Sequence, residues 1–166
     1  MHYAAPGLHN RHFELINDSG TKLGKLDYTS WFTLKASIEL PSGDVYEITH
    51  ANIWLTSLHV LKNGAEWCAL KFNWKGQIII EMADGKNYML RHHFGFFKSS
   101  YTLDDENGNQ LLGLKPDFNF SKLSFNYDIE SNDSVPDAAN PVLILLAIYC
   151  SNRSANMQSG AFASVA

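Results

Sequence analysis

Seven histidines stand in this chain, and two of them, His92 and His93, are adjacent in a segment that alternates like a β-strand. Successive strand side chains point to opposite faces, so this pair cannot converge on one metal ion without a bulge. His92 shares its parity with Tyr88, Leu90 and Phe94 and is expected on the core side; His93 shares that of Arg91 and is expected in water. His9 and His12 lie near the N-terminus. Neither His-Glu-x-x-His nor Cys-x-x-Cys spacing occurs, so no metal site is expected.

Carboxylates cluster at Asp104, Asp105 and Glu106, before Asn107 and Gly108. If Gly108 is aligned with the invariant glycine of an EF-hand loop, Leu103 and Leu114 fall on ligand positions, and neither can ligate calcium. An acidic hairpin turn accounts for these residues better. Cys68 shares parity with Leu70, Phe72 and Trp74, which predicts a buried, inert thiol. There is no Gly-x-Ser-x-Gly, no P-loop and no Gly-x-Gly-x-x-Gly. The chain is therefore read as non-enzymatic and without a cofactor.

Cations offer the remaining chemistry. By parity Lys35, Lys71, Arg91 and His93 face away from the core. On neighbouring strands they would form a patch able to hold a phosphate or an anionic lipid headgroup; on separate strands they are a solvated outer face. Four dispersed cations do not make a nucleic-acid surface, and no RNA-type aromatic motif accompanies them.

The elements that would position these residues are mostly strands. Phe32, Leu34, Ala36, Ile38 and Leu40 alternate with polar residues, as do Leu123, Phe125, Tyr127 and Ile129. Similar segments fall near 12–16, 22–28, 44–50, 53–61, 66–74, 77–82, 86–92, 100–104 and 110–115, about eleven strands in all. Between them sit Asp18-Ser19-Gly20, Pro41-Ser42-Gly43, Lys62-Asn63-Gly64, Ala83-Asp84-Gly85 and Glu106-Asn107-Gly108. Asn, Asp and Gly tolerate the positive φ of tight hairpins, so an antiparallel meander is predicted. Phe13-x-Leu15, Gly20 and Leu23 recur as Tyr101-x-Leu103, Gly108 and Leu111, which suggests a duplicated half-barrel.

The last third changes character. Pro141 to Cys150 is apolar on every side, and a helix of that kind must be enclosed on every side. Asn140-Pro141 suits an N-cap and first helical residue, and the helix is expected over about 140–152. Burying Val142, Leu143, Ile144, Leu145, Leu146 and Ile148 is worth roughly 9–18 kcal/mol gross, an upper bound. The run is shorter than the roughly 20 residues that span a bilayer. Residues 1–9 and 153–166 are expected as flexible termini.

The formal charge of −4 is uneven: −2 over residues 1–59, +3 over 60–100 and −5 over 101–166. Two cysteines, Cys68 and Cys150, make no disulfide framework. No basic start followed by an apolar run marks a signal peptide. A reduced, cytoplasmic setting is expected, peripheral to a membrane if lipid is the ligand, with the Asn-x-Ser sequons idle.

The two echoing hairpins, Phe13 to Leu23 and Tyr101 to Leu111, and the apolar helix from Val142 to Tyr149 resemble the tubby C-terminal-like superfamily. Within it, the chain is most similar to the small LURP-one-related and phospholipid-scramblase-like members. The resemblance covers residues 10–152 and implies one domain, a closed antiparallel barrel of about twelve strands around a hydrophobic C-terminal helix. Tubby proteins bind phosphoinositides through surface basic residues, and scramblase-like members are tied to lipids and calcium. No motif carries the tubby lipid site onto particular residues here, so none is transferred. The expected function is a binding or scaffolding module for anionic lipid headgroups or a protein partner. A lipocalin-like carrier of a small apolar ligand is the alternative.

Overall fold

The computed structural model describes residues 1–9, 11–30, 35–51, 57–73, 76–95, 99–121 and 124–163. Phe32, Leu34, residues 53–56, Trp74 and Leu123 of the expected strands lie outside them.

Strands run in chain order: β1 (His2–Ala5), β2 (Gly7–Leu8), β3 (His12–Asn17), β4 (Lys22–Ser30), β5 (Lys35–Glu39), β6 (Val45–His50) and β7 (Ser57–Lys62). They continue as β8 (Ala65–Phe72), β9 (Ile78–Met82), β10 (Asn87–Phe94), β11 (Ser99–Asp105), β12 (Gln110–Asn119) and β13 (Ser124–Ser131). From β3 to β13 each strand pairs antiparallel with the next, and β1 pairs with both β13 and β3. β1 and β2 meet β3 in one continuous register: Tyr3 faces Asn17, Ala4 faces Ile16, Gly7 faces Phe13 and Leu8 faces His12. They are one strand interrupted at Pro6, which has no N–H to give to a ladder. The result is a closed antiparallel barrel of twelve strands.

The eleven segments predicted by alternation are eleven of the twelve staves. The twelfth is the N-terminal stretch, which is no loose end: Tyr3 and Ala5 are buried and the stretch seals the ring. It escapes notice because His2 to Ala5 offers only one large side chain to a periodicity count.

Inward parity holds around the ring. Ala36 and Ile38, Leu58 and Val60, Ile78 and Ile80, and Tyr127 and Ile129 are buried, while their neighbours in sequence face out. The outer face carries ion pairs such as Lys25–Glu39, Lys71–Glu81 and Lys115–Glu130. An apolar inside and a charged outside is the reverse of a membrane-spanning barrel. No described helix is long and apolar enough to cross a membrane.

All five predicted turns form, and four hairpins at one end of the barrel share one turn geometry. The N–H groups of Gly20, Gly43, Gly85 and Gly108 bond to the carbonyl three residues back at 2.9–3.0 Å. Each of these glycines takes a positive φ of 78–91°, closing the turn into a glycine bulge. This corrects the duplication. Its two copies, β3–β4 and β11–β12, stand eight strands apart in a ring of twelve, where a duplicated half would place them six apart. Their likeness is that of a shared turn.

After a short 3-10 helix at Pro136–Ala139 comes α1, Pro141–Ala163. Asn140 caps it, its Oδ1 accepting from the N–H of Val142 at 3.0 Å. From Val142 to Cys150 no residue is more than 2 % exposed. Nine consecutive buried positions cover every face of a helix, so α1 runs through the barrel's interior. It does not stop near Asn152: Arg153 and Ser154 are buried too, and helical backbone continues to Ala163. No proline or capping signal ends it at 152, and the loss of apolar residues there changes what the helix touches, not whether it forms.

Candidate functional site

The two ends of the barrel differ. α1 enters at the end closed by the tight turns, where the Asp137 carboxylate accepts from Tyr88 Oη and Lys86 Nζ, both at 2.8 Å. Those two donors, the lysine foremost, hold Asp137 below the usual carboxylate range. In the same end, Asp105 is tied into its turn by Asn107 and Asn109. This acid cluster is a hairpin turn, as its sequence implies.

At the opposite end, the mouth, the core turns polar around the helix. Tyr127 Oη donates to Asn152 Oδ1 at 2.8 Å, and Asn152 Nδ2 donates to Tyr28 Oη at 3.3 Å. Tyr28 stacks on Tyr149 with centroids 5.5 Å apart. The Ser154 hydroxyl bonds to Tyr101. Arg153, only 8 % exposed, lays its guanidinium 4.4 Å from the Phe72 ring centre. Burial drives the Tyr28, Tyr101 and Tyr127 hydroxyls upward, so they remain neutral.

Above this layer the inward-facing side of the strands continues past the core. Along β10, Tyr88 and Leu90 are buried, His92 is half-buried and Phe94 is 78 % exposed. Along β12, Leu112 and Leu114 are buried, Pro116 is half-buried and Phe118 is 38 % exposed, with Phe120 beyond it at 82 %. The rings brace one another: Phe118 meets Phe120 at 4.9 Å and Phe125 at 5.2 Å. His92 lies 4.0 Å from Phe94 and 4.6 Å from Tyr101. Burial lowers the His92 pKa, with His93 adding to it, so this ring is a neutral part of an aromatic wall.

All four predicted cationic residues are exposed on the outer surface. Lys71 and Arg91 lie on the same sheet face with β9 between them, Lys71 opposite Ile79 and Ile79 opposite Met89. Lys35 stands three strands from Lys71, roughly 14 Å at the usual spacing. Carboxylates answer two of them: Lys71 Nζ lies 2.6 Å from Glu81 Oε2 and Arg91 Nε 3.0 Å from Asp104 Oδ2. His93 Nε2 shares a hydrogen bond of 2.9 Å with Thr102 Oγ1. By the same register Arg91 stands roughly 12 Å from Lys71 and roughly 7 Å from His93, while Lys71 is as far from His93 as from Lys35, so the four do not gather into one patch. Lys35, Lys71 and His93 all stand in the mouth half of their strands. So does Arg11, exposed between β2 and β3 and overlooked by parity because it lies between strands.

Cys68 and Cys150 are fully buried free thiols whose pKa values are pushed well up by burial. Among the described residues no three His, Cys, Asp or Glu side chains gather as a metal site. Neither a protein-family model, nor a curated protein, nor a solved structure matches this chain.

Proposed function

We propose that this chain is a tubby-like, non-enzymatic binding module that attaches to anionic phospholipid headgroups at the cytoplasmic face of a membrane. The observation that carries it is the separation of charge along the barrel axis. Connections on the turn side hold six acids (Asp18, Asp44, Asp84, Glu106, Asp133 and Asp137) and one cation, Lys86. At the mouth Arg11, Lys35 and Lys71 are exposed, and the described residues that link strands there include no acid. A net charge of −4 would repel a uniformly charged particle from an anionic surface. A polarised one turns its basic end to that surface, each nearby cation being worth about 1 kcal/mol. The twelve-stranded ring around a helix is the fold that the tubby resemblance implies, which supports the kinship. A carrier of apolar ligands needs an empty barrel, and here Val142 to Cys150 fill it.

Co-sedimentation with vesicles of rising phosphatidylserine or phosphoinositide content tests this reading. Binding that weakens with added salt is expected, and Arg11→Glu with Lys35→Glu should weaken it roughly 20-fold or more. Neither side chain has an ion pair among the described residues, so the pair of changes should leave the melting temperature in place. Wild-type protein that ignores anionic vesicles at low salt overturns the proposal.

A further inference from the structure

We propose that the barrel docks end-on against an anionic bilayer, with Phe94, Phe118 and Phe120 entering the boundary between headgroups and acyl chains. This rests on the headgroup reading above and adds to it an orientation and an apolar anchor.

Six large apolar residues are exposed among those described: Met1, Leu8, Val45, Phe94, Phe118 and Phe120. Four of them, Leu8 and the three phenylalanines, stand at the mouth. Their strands occupy one continuous arc, since β10, β11, β12, β13 and the β1–β2 strand follow one another in the ring. They therefore form one rim of the mouth. The phenylalanine rings are braced by Phe125, His92 and one another, so ordering them costs little at the moment of binding.

Charge complementarity selects the occupant. Arg11, between β2 and β3, and Arg91 on β10, which also pairs with Asp104, flank the rim, while the acidic turns lie at the far end of the barrel. Asp117 is the exposed acid beside Phe118, and strand alternation directs it to the outer face. Apolar rings flanked by arginines suit an anionic lipid interface, where the rings leave water and the guanidinium groups stay at headgroup depth.

The test uses Phe94→Ser with Phe120→Ser, the two most exposed rings, and a triple variant adding Phe118→Ser, on the full chain. Thermal melts establish that each is folded; if the triple variant is not, the double variant decides. Binding to phosphatidylserine vesicles should fall roughly tenfold or more, with its salt dependence unchanged because the cations remain. Hydrogen exchange on vesicles should slow at residues 91–94 and 116–120 and stay unchanged in the turns at 18–21 and 83–86. Folded variants that bind as tightly as wild type overturn the end-on anchor and leave the headgroup reading standing. Wild type that fails to bind overturns both. If wild type self-associates in sedimentation, the variants are monomeric and vesicle binding is untouched, the rim is an interface between copies and the proposal falls.

Discussion

At Gly24 the helix packs directly against the backbone of the wall. A Cβ added there would meet Leu145 Cδ1 at 2.9 Å, Leu40 Cδ2 at 3.0 Å and the Glu39 carbonyl oxygen at 3.1 Å. The leucines can shift by a few tenths of an ångström, but the carbonyl belongs to the β4–β5 ladder and cannot. Gly24→Ala should therefore cost about 1–3 kcal/mol by overpacking, a fall in melting temperature of roughly 2–12 °C for a chain of this length. An unchanged melt would mean that the helix stands farther from β4. Gly7 is tighter still, with Ser124 Oγ and Phe125 O inside 2.5 Å of the same hypothetical atom. There β2 is pressed against β13. At both places glycine is needed for room, whereas at Gly20 or Gly85 it is needed for positive φ with open space around it.

Among the elements, α1 is what the barrel is built upon. Its six large aliphatics belong to one continuous buried cluster to which β1 and every strand from β3 to β13 contribute residues. Leu145→Asp places a carboxylate where no water reaches and no partner waits, a cost of several kcal/mol. That is a large part of a domain's usual net stability. Loss of soluble, cooperatively melting protein is expected, and a variant that melts cooperatively near the wild-type temperature would refute an enclosed helix. Below the apolar segment the helix changes partners. At Asn152, Arg153 and Ser154 apolar packing gives way to side-chain hydrogen bonds and a cation–π contact, which is how a helix can leave a barrel without exposing an unpaired polar layer.

At the scale of the whole molecule, closure decides stability. Without β1 the ring would end in two open edges, β3 and β13, each with a row of unpaired backbone groups. Removing residues 1–8 should broaden the thermal transition and promote association through those edges, read by calorimetry and light scattering. Monomeric protein with an unchanged transition would show that the remaining eleven strands close by themselves. Closure also gives the molecule its two unlike ends. An up-and-down barrel sends alternate connections to opposite ends, so gathering Asp18, Asp44, Asp84, Glu106, Asp133 and Asp137 at one end gives the molecule an electrical axis.

Most of the fold was legible in the residues because strand alternation, turn chemistry and an all-apolar helix are local signals. Eleven staves, five hairpin turns, the Asn140 cap and the need to enclose Val142 to Cys150 follow from neighbours a few positions apart. The outward faces of Lys35, Lys71, Arg91 and His93 follow from parity alone. What parity cannot say is which strands stand side by side, so the distance of Lys35 from Lys71 and the carboxylates facing Lys71 and Arg91 appear only in the folded ring. The twelfth stave depends on residues more than a hundred positions away, Tyr3 against Ile129, and no local pattern reports such a pairing. The rim is hidden for the same reason. Phe94 and Phe118 sit at positions that alternation assigns to the core, and only the height of the helix inside the barrel decides that the core ends below them.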